Sequence, residues 1–220
     1  FMEYLAEQGF VTVIHDHRGH GKSVRTREDL GYMYGSGARG MLKDIEKVNC
    51  DIRKYFPDIP LILLGHSMGS LAVRAFASEH DDCMDMLIVC GSPSENKARI
   101  LGEMIALAEG KILGYRHRSH ILETLSFGAY VWKFRKEGNP NAWTCSDPVV
   151  YQAYADSELC GFTFTDDAYL ALFELMKKAY DVHKWNCKNP RMPVLFISGA
   201  EDPCLGNVRK FASACLLYTS

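Results

Sequence analysis

Short runs of apolar residues alternate with amphipathic segments over the first ninety residues of the chain. Residues 10–15 form a β-branched run, and residues 61–64 and 86–90 are continuous apolar runs, each with the length of a β-strand. Residues 38–55 place apolar side chains at spacings of three and four among charged ones, which predicts an amphipathic helix. This alternation predicts an α/β fold, a doubly wound and mainly parallel sheet with helices on both faces.

The pattern changes after residue 91. Residues 92–189 are helical and aromatic in character and contain no convincing buried strand, whereas residues 193–198 return to the pattern of a parallel strand. Residues 206–217 are typical of a following helix. We therefore predict a core formed by residues 1–91 and 190–220, interrupted by a mostly helical lid at residues 92–189.

Both ends of the chain suggest that parts of the fold lie outside it. Residues 1–9 have the pattern of the end of an amphipathic helix that stops at Gly9, not that of a signal peptide. Residues 217–220 end without a helix cap or amphipathic pattern. We expect the chain to begin and end within a larger domain.

Composition narrows the functional classes. With 47% hydrophobic and 24% charged residues and a net charge of -2, the 220-residue chain has the profile of a globular protein without a broad basic surface, so nucleic-acid binding is not expected. No apolar run is long enough to span a bilayer. The eight cysteines lack metal-ligand spacing, which favours reduced thiols in the cytoplasm and predicts neither a metal site nor a cofactor.

The strongest chemical signal is the sequence Gly65-His66-Ser67-Met68-Gly69. It lies between a predicted strand and a predicted helix, where a nucleophilic serine on a tight turn would project from the end of the sheet. Small residues on both sides, Gly65 and Gly69, meet the steric demand of such a turn. The amide of Met68, at the start of the helix, is then the predicted donor to an oxyanion.

A serine nucleophile needs a histidine base that is oriented by a carboxylate. Asp202 follows the strand predicted at residues 193–198 and is the candidate acid, although an Asp-Pro pair also forms turns without any catalytic role. All eight histidines precede Asp202, so none has the expected position in the chain order serine, acid, histidine. His66 should point away from Ser67, while His17 and His20 are interpreted as residues that order their loop or form the pocket wall.

Two motifs, the loop at residues 16–23 and the serine turn at residues 65–69 (the elbow), occur in the order found in one branch of the α/β-hydrolases. The chain therefore resembles the monoacylglycerol lipase and lysophospholipase branch, often labelled serine aminopeptidase-like. Residues 195–203 extend the resemblance, and residues 117–128 and 160–162 extend it more loosely into the lid. Together these segments extend the resemblance over nearly the whole chain. The resemblance implies an inserted lid on an α/β-hydrolase core.

The resemblance also implies roles for individual residues. Ser67 would be the nucleophile, Asp202 the acid and Met68 one oxyanion donor, with residues 16–23 at the entrance of the active site. The second oxyanion amide would come from a His-Gly loop before residue 1, and the catalytic histidine would follow residue 220. The implied reaction is hydrolysis of a monoacylglycerol or lysophospholipid ester through an acyl group on Ser67, and the 220-residue chain alone is expected to be inactive.

Two other functions stay open at this point. A peptidase or amidase of the same fold would need an acidic pocket for the substrate amine, which Glu158 and the pair Asp166-Asp167 could supply. A non-catalytic protein of the same fold would bind a lipid or a hormone-like molecule without hydrolysing it and would use the lid as a switch. The partner expected in all cases is a small molecule, with transient contact to a membrane surface allowed and the oligomeric state left open.

Overall fold

The computed structural model describes residues 1–204, and its centre is a parallel β-sheet. Strands β1 (Ile62–His66), β2 (Met86–Cys90) and β3 (Val194–Ile197) lie in the order β1-β2-β3. Both pairs of neighbours are parallel. All three strands therefore end at the same edge of the sheet, and the segments that follow them meet there.

Seven α-helices are present in residues 1–204, and residues 206–217, predicted as a further helix, lie outside this range. In chain order the helices are α1 (Met2–Glu7), α2 (Gly37–Tyr55), α3 (Met68–His80), α4 (Arg99–Leu113), α5 (His120–Lys133), α6 (Pro148–Asp156) and α7 (Asp166–Tyr180). Short 3₁₀ turns lie at Arg27–Asp29, Asp81–Cys83, Arg135–Glu137 and Val182–Lys184. The predicted helix at residues 38–55 and the strands at 61–64, 86–90 and 193–198 are confirmed within a residue or two.

The main hydrophobic core surrounds α3. Leu71, Ala72, Ala75 and Phe76 of this helix are completely buried between the sheet and its neighbouring helices. Arg74 is also fully buried, and its guanidinium donates to Ser92 Oγ at 2.8 Å and to the carbonyl of Ala179 at 2.9 Å. These bonds satisfy a charge that would otherwise be costly to bury.

Helix α7 packs against α2 and α3 although it belongs to the segment predicted as a lid. Its residues Ala168, Ala171, Leu175 and Ala179 are fully buried in the same core as α3. The small alanine side chains allow the helix axes to approach closely. The division of the chain at residues 92–189 remains a prediction, and in packing terms α7 is part of the core.

Helices α4, α5 and α6 bury few of their residues. Leu122 is the buried residue of α5 and Tyr151 that of α6. A second, smaller cluster of buried residues joins α4, α5 and α7: Ala106, Leu122, Tyr169 and Phe173. This cluster joins α4 and α5 to α7.

The strand predicted at residues 10–15 is not formed. Val11 and Val13 lie beside Leu61 and Ile62 around a small cavity, but within residues 1–204 the segment makes no ladder hydrogen bonds with β1. A β-branched run favours extended backbone, yet a strand also needs a neighbouring chain at hydrogen-bonding distance. The prediction was wrong because the sequence pattern of one segment does not show whether another strand lies beside it.

No helix of the described residues is long and apolar enough to cross a membrane. The seven cysteines within residues 1–204 are all free thiols, and Cys215 lies outside this range.

Candidate active site

Ser67 occupies a strained turn between β1 and α3. Its backbone has φ 52° and ψ -120°, and Tyr34 is the one other non-glycine residue with positive φ in the described chain. Such a conformation costs about 1–3 kcal/mol and persists where the surrounding fold enforces it. A strained serine between a strand and a helix is the backbone arrangement that a nucleophile elbow requires.

The two glycines of the elbow differ in whether a side chain would fit at their position. A Cβ on Gly65 would lie 2.6 Å from the carbonyl carbon of Gly69 and 2.6 Å from Val73 Cγ2, so no side chain fits there. At Gly69 the nearest atom to a Cβ would be His17 Nε2 at 3.8 Å, an ordinary contact. Close packing therefore excludes a side chain at Gly65, whereas Gly69 has room for a Cβ against His17.

The start of α3 offers a donor to negative charge next to Ser67. The carbonyl of Ser67 accepts from the Ser70 amide at 2.9 Å and from Ser70 Oγ at 2.5 Å, which fixes the turn. The amide of Met68 has no hydrogen-bond partner in residues 1–204. It also lies at the positive end of the helix dipole, where a developing oxyanion is favoured.

Asp202 lies at the same edge of the sheet as Ser67. Its carboxylate accepts from Ser198 Oγ at 2.9 Å and from the Cys204 amide at 2.8 Å, which holds the side chain in one orientation. A Cβ built on Gly91, just after β2, would meet Asp202 Oδ2 at 3.5 Å and His66 Nε2 at 3.1 Å. The loops after all three strands thus converge, although Asp202 and Ser67 share no direct hydrogen bond.

No histidine among residues 1–204 is hydrogen-bonded to the hydroxyl of Ser67. His66 has an exposed side chain. His17 packs over the start of α3, and burial, followed by the neighbouring His15 and His20, lowers its pKa to about 4. His17 is therefore neutral at pH 7 and forms part of the wall.

The loop at residues 16–23 is fixed between helix α2 and the segment before α7. Arg18 donates through two nitrogens to the carboxylate of Asp44 on α2, each at 2.8 Å. The ring of His20 makes edge contacts with Phe162 and Phe164, with centroids 5.3 and 5.5 Å apart. Sequence reasoning identified the loop but missed Asp44, because a charged residue on an exposed helix face carries no sign of its partner.

An open, mostly apolar cleft of about 1830 Å³ extends from Ser67 to helix α5. Phe127 and Tyr130 of α5 lie along it together with Trp143, with centroids of neighbouring rings 5.5 and 5.3 Å apart. Burial, and then the nearby Cys204 and Asp202, raise the pKa of Tyr130 to about 12. Tyr130 of α5 therefore lies near the loop of the candidate acid, which sequence reasoning did not foresee.

The acidic pocket considered for a substrate amine is not formed by the predicted residues. Glu158 is exposed and pairs with Arg27 on the surface. Asp167 is buried and accepts from the amides of Met33 and Gly35 at 2.9 and 3.1 Å, while Asp166 faces away from the cleft. These two carboxylates occupy the first turn of α7, whose packing directs them into the protein.

Sequence comparison relates the chain to lipid hydrolases. Mouse (Mus musculus) monoglyceride lipase is 38% identical over 65 residues, which cover 30% of this chain and 20% of the relative. Rat (Rattus norvegicus) monoglyceride lipase is 29% identical over 127 residues, which cover 57% of this chain and 38% of the relative. The matched segments thus span well under half of either relative.

Solved structures share the fold at low identity. A lipase in its open form superimposes with a TM-score of 0.81 at 20% identity, covering 99% of this chain and 72% of the lipase. A thermostable carboxyl esterase from Bacillus coagulans gives a TM-score of 0.69 at 17% identity, covering 93% and 77% of the two chains. The monoacylglycerol lipase of Paleococcus ferrophilus gives 0.58 at 15% identity, covering 99% and 86%.

The family model Hydrolase_4, described as serine aminopeptidase, S33, matches residues 1–212. This match covers nearly the whole chain, and the strained serine between β1 and α3 agrees with it. The fold class predicted from sequence is confirmed by the structural neighbours. The chain belongs to the serine aminopeptidase S33 family of α/β-hydrolases.

Proposed function

We propose that the protein is a serine hydrolase that cleaves carboxylic esters of the monoacylglycerol or lysophospholipid type through an acyl-enzyme on Ser67. The observation that carries the proposal is the strained backbone of Ser67 at the mouth of an aromatic cleft. The two monoglyceride lipase relatives support the substrate class.

The reaction would begin with attack of Ser67 Oγ on the ester carbonyl carbon as a base removes the hydroxyl proton. The carbonyl oxygen becomes negative and receives a hydrogen bond from the Met68 amide, a contribution of the kind that lowers a barrier by about 2.7–4 kcal/mol. The C–O bond then breaks, the base returns the proton to the alcohol, and the acyl group stays on Ser67. Water repeats the sequence and releases the carboxylic acid.

Asp202 is proposed as the acid that orients the base. Its two hydrogen bonds from Ser198 and Cys204 keep the carboxylate at the carboxyl edge of the sheet. We infer that the base is a histidine that follows Asp202 in the complete enzyme, because all eight histidines in the present sequence precede it. The 220-residue chain alone is then expected to hydrolyse esters poorly.

The cleft supports an acyl chain as the bound group. Its walls are mostly aliphatic and aromatic, with Leu125, Phe127 and Trp143 on the lid side. Burying apolar substrate surface in such a cleft is favourable by about 25 cal/mol per Å².

We also propose a cytoplasmic location, which the free thiols of the described cysteines support.

A peptidase or amidase activity has one supporting observation, the name of the family that the chain matches. The carboxylates considered for binding an amine do not line the cleft, which weighs against it. A non-catalytic binding protein would not need the strained backbone at Ser67. Ester hydrolysis therefore accounts for more of the site.

The test uses the chain expressed with the sequence that flanks it in its gene. The expected result is turnover of monoacylglycerols or lysophospholipids, covalent labelling of Ser67 by a fluorophosphonate, and loss of both in Ser67→Ala. Ser78→Ala is the matched control, since Ser78 lies on the same helix and its hydroxyl bonds only to the Ala75 carbonyl in the described residues. Turnover of aminoacyl arylamides without ester turnover would overturn the substrate class, and tight lipid binding with Ser67 unlabelled would favour the non-catalytic alternative.

The need for a base outside the present sequence is tested separately. The 220-residue chain and the extended protein are compared in the same ester assay. Robust turnover by the 220-residue chain that Ser67→Ala abolishes would contradict the inferred position of the histidine.

A further inference from the structure

Three potential metal ligands meet on the side of α4 and α7 that faces away from the cleft. Glu109 lies in the last turns of α4, His117 in the loop that follows, and Asp166 is the first residue of α7. One ligand atom from each residue lies within 4.8 Å of the other two. None of the three lines the cleft at Ser67, so the cluster is separate from the candidate active site.

Within residues 1–204 no protein donor satisfies the full acceptor capacity of the carboxylates in this cluster, and Glu109 and Asp166 lie close enough to share a proton or a cation. Asp166 is 0% exposed, and its Oδ2 lies 3.2 Å from His117 Nδ1, but its Oδ1 has no hydrogen-bond partner in residues 1–204. Glu109 Oε2 is likewise buried without a partner. Burying carboxylate oxygens without donors costs free energy, and two carboxylates side by side repel each other. A cation between them would remove both penalties.

The backbone holds the three residues in place. The Asp166 amide donates to the carbonyl of His117 at 2.9 Å, and Arg118 pairs with Thr165 in an antiparallel bridge, which ties the loop to the start of α7. On the other side, Gly102 brings α4 into close contact with Phe173 of α7, since a Cβ on Gly102 would lie 2.6 Å from the ring. Ligands from three segments are thus positioned before any ion binds.

We propose that Glu109, His117 and Asp166 form a binding site for a divalent transition-metal ion, best matched by Zn²⁺. Zn²⁺ binds imidazole nitrogen and carboxylate oxygen at about 2.0–2.2 Å, so neighbouring ligand atoms in a tetrahedral site lie roughly 3.3–3.5 Å apart. The distance between His117 Nδ1 and Asp166 Oδ2 is close to this value. An imidazole ligand favours Zn²⁺ over Mg²⁺ and Ca²⁺, which prefer oxygen. The bound ion would join α4 of the lid to α7 of the core.

The experiment is a titration of the chelator-treated protein with ZnCl₂, followed by calorimetry and thermal unfolding. Wild type should bind one ion that raises Tm and is removed by chelator, whereas His117→Ala and Glu109→Gln should bind at least about tenfold more weakly. His120→Ala is the matched control, because His120 Nδ1 also lies 3.2 Å from a carboxylate, that of Glu123, but on the surface. This variant should bind Zn²⁺ as wild type does.

Co²⁺ gives a second readout that identifies the ligands. Exposed Cys50 and Cys187 are alternative sites, and thiolate ligation produces intense charge-transfer absorption that nitrogen and oxygen ligands do not. Equal affinity in wild type, His117→Ala and Glu109→Gln, or cobalt spectra of thiolate type alone, would overturn the proposal. Failure of the protein to bind Zn²⁺ at about 100 µM would also overturn the proposal. If Asp166→Asn were then more stable than wild type, Glu109 and Asp166 would share a proton instead of a metal ion.

Discussion

Helices α3 and α5 are both rich in apolar residues, but they use them in opposite ways. Nine residues of α3 are buried, from Ser70 to Ser78, and they form the centre of the core. In α5 the buried residue is Leu122, while Leu125, Phe127 and Tyr130 lie along the cleft. Apolar content alone therefore does not distinguish a helix that stabilises the fold from one that forms a binding surface.

The largest effect should come from the residue at the head of α3. Ser67→Ala and Ser67→Gly should both lower kcat by about 10⁴-fold or more in the complete enzyme, because each removes the proposed nucleophile. They should differ in stability, since glycine adopts positive φ without strain, and Ser67→Gly should be the more stable by about 1 kcal/mol. Ester assays and denaturant unfolding measure the two effects. Equal stability of the two variants would show that the turn is not strained.

A matched pair of leucines tests the contrast between α3 and α5 directly. Leu71→Ala should lower the free energy of unfolding by about 2–5 kcal/mol, because Leu71 is completely buried and the change leaves a cavity. Leu125 is 59% exposed beside the cleft, so Leu125→Ala should cost under about 0.5 kcal/mol and instead raise KM for long-chain esters. Similar stability losses in both variants would place α5 in the core and contradict the comparison.

The two glycines of the elbow provide a smaller and local test. Gly65→Ala should destabilise the protein by about 1–3 kcal/mol and lower activity, because a Cβ would press against Gly69 and Val73. Gly69→Ala has room for its methyl group and lies in α3, so it should be neutral or slightly stabilising. Chemical denaturation of both variants measures the difference, and the opposite order would show that the turn relaxes.

The sequence predicted the elbow because one short segment contains all its determinants: an apolar strand, Gly65, Ser67 and a helix. The same holds for the amphipathic pattern of α2. Features that depend on distant partners were missed, including the salt bridge from Arg18 to Asp44 and the missing ladder of residues 10–15. The spacing of apolar residues shows which face of a helix or strand is apolar. The segment that packs against this face depends on the whole fold.

The smallest predicted effect concerns His17, which packs over the start of α3. Burial, then His15 and His20, lower its pKa from 6.5 to about 4, while Asp44 and Asp16 act in the opposite direction. Between about pH 6.5 and 4 the unfolded state therefore binds more protons than the folded state, and this residue makes stability fall as pH falls. His17→Gln should flatten the loss of stability over that window, because it removes the group whose pKa differs between the folded and the unfolded state. Unfolding curves of wild type and His17→Gln from pH 7 to pH 4 measure the effect, and identical slopes would mean that His17 takes up its proton as readily in the folded state as in the unfolded state, so that below about pH 6 the wall of the cleft carries charge beside the start of α3.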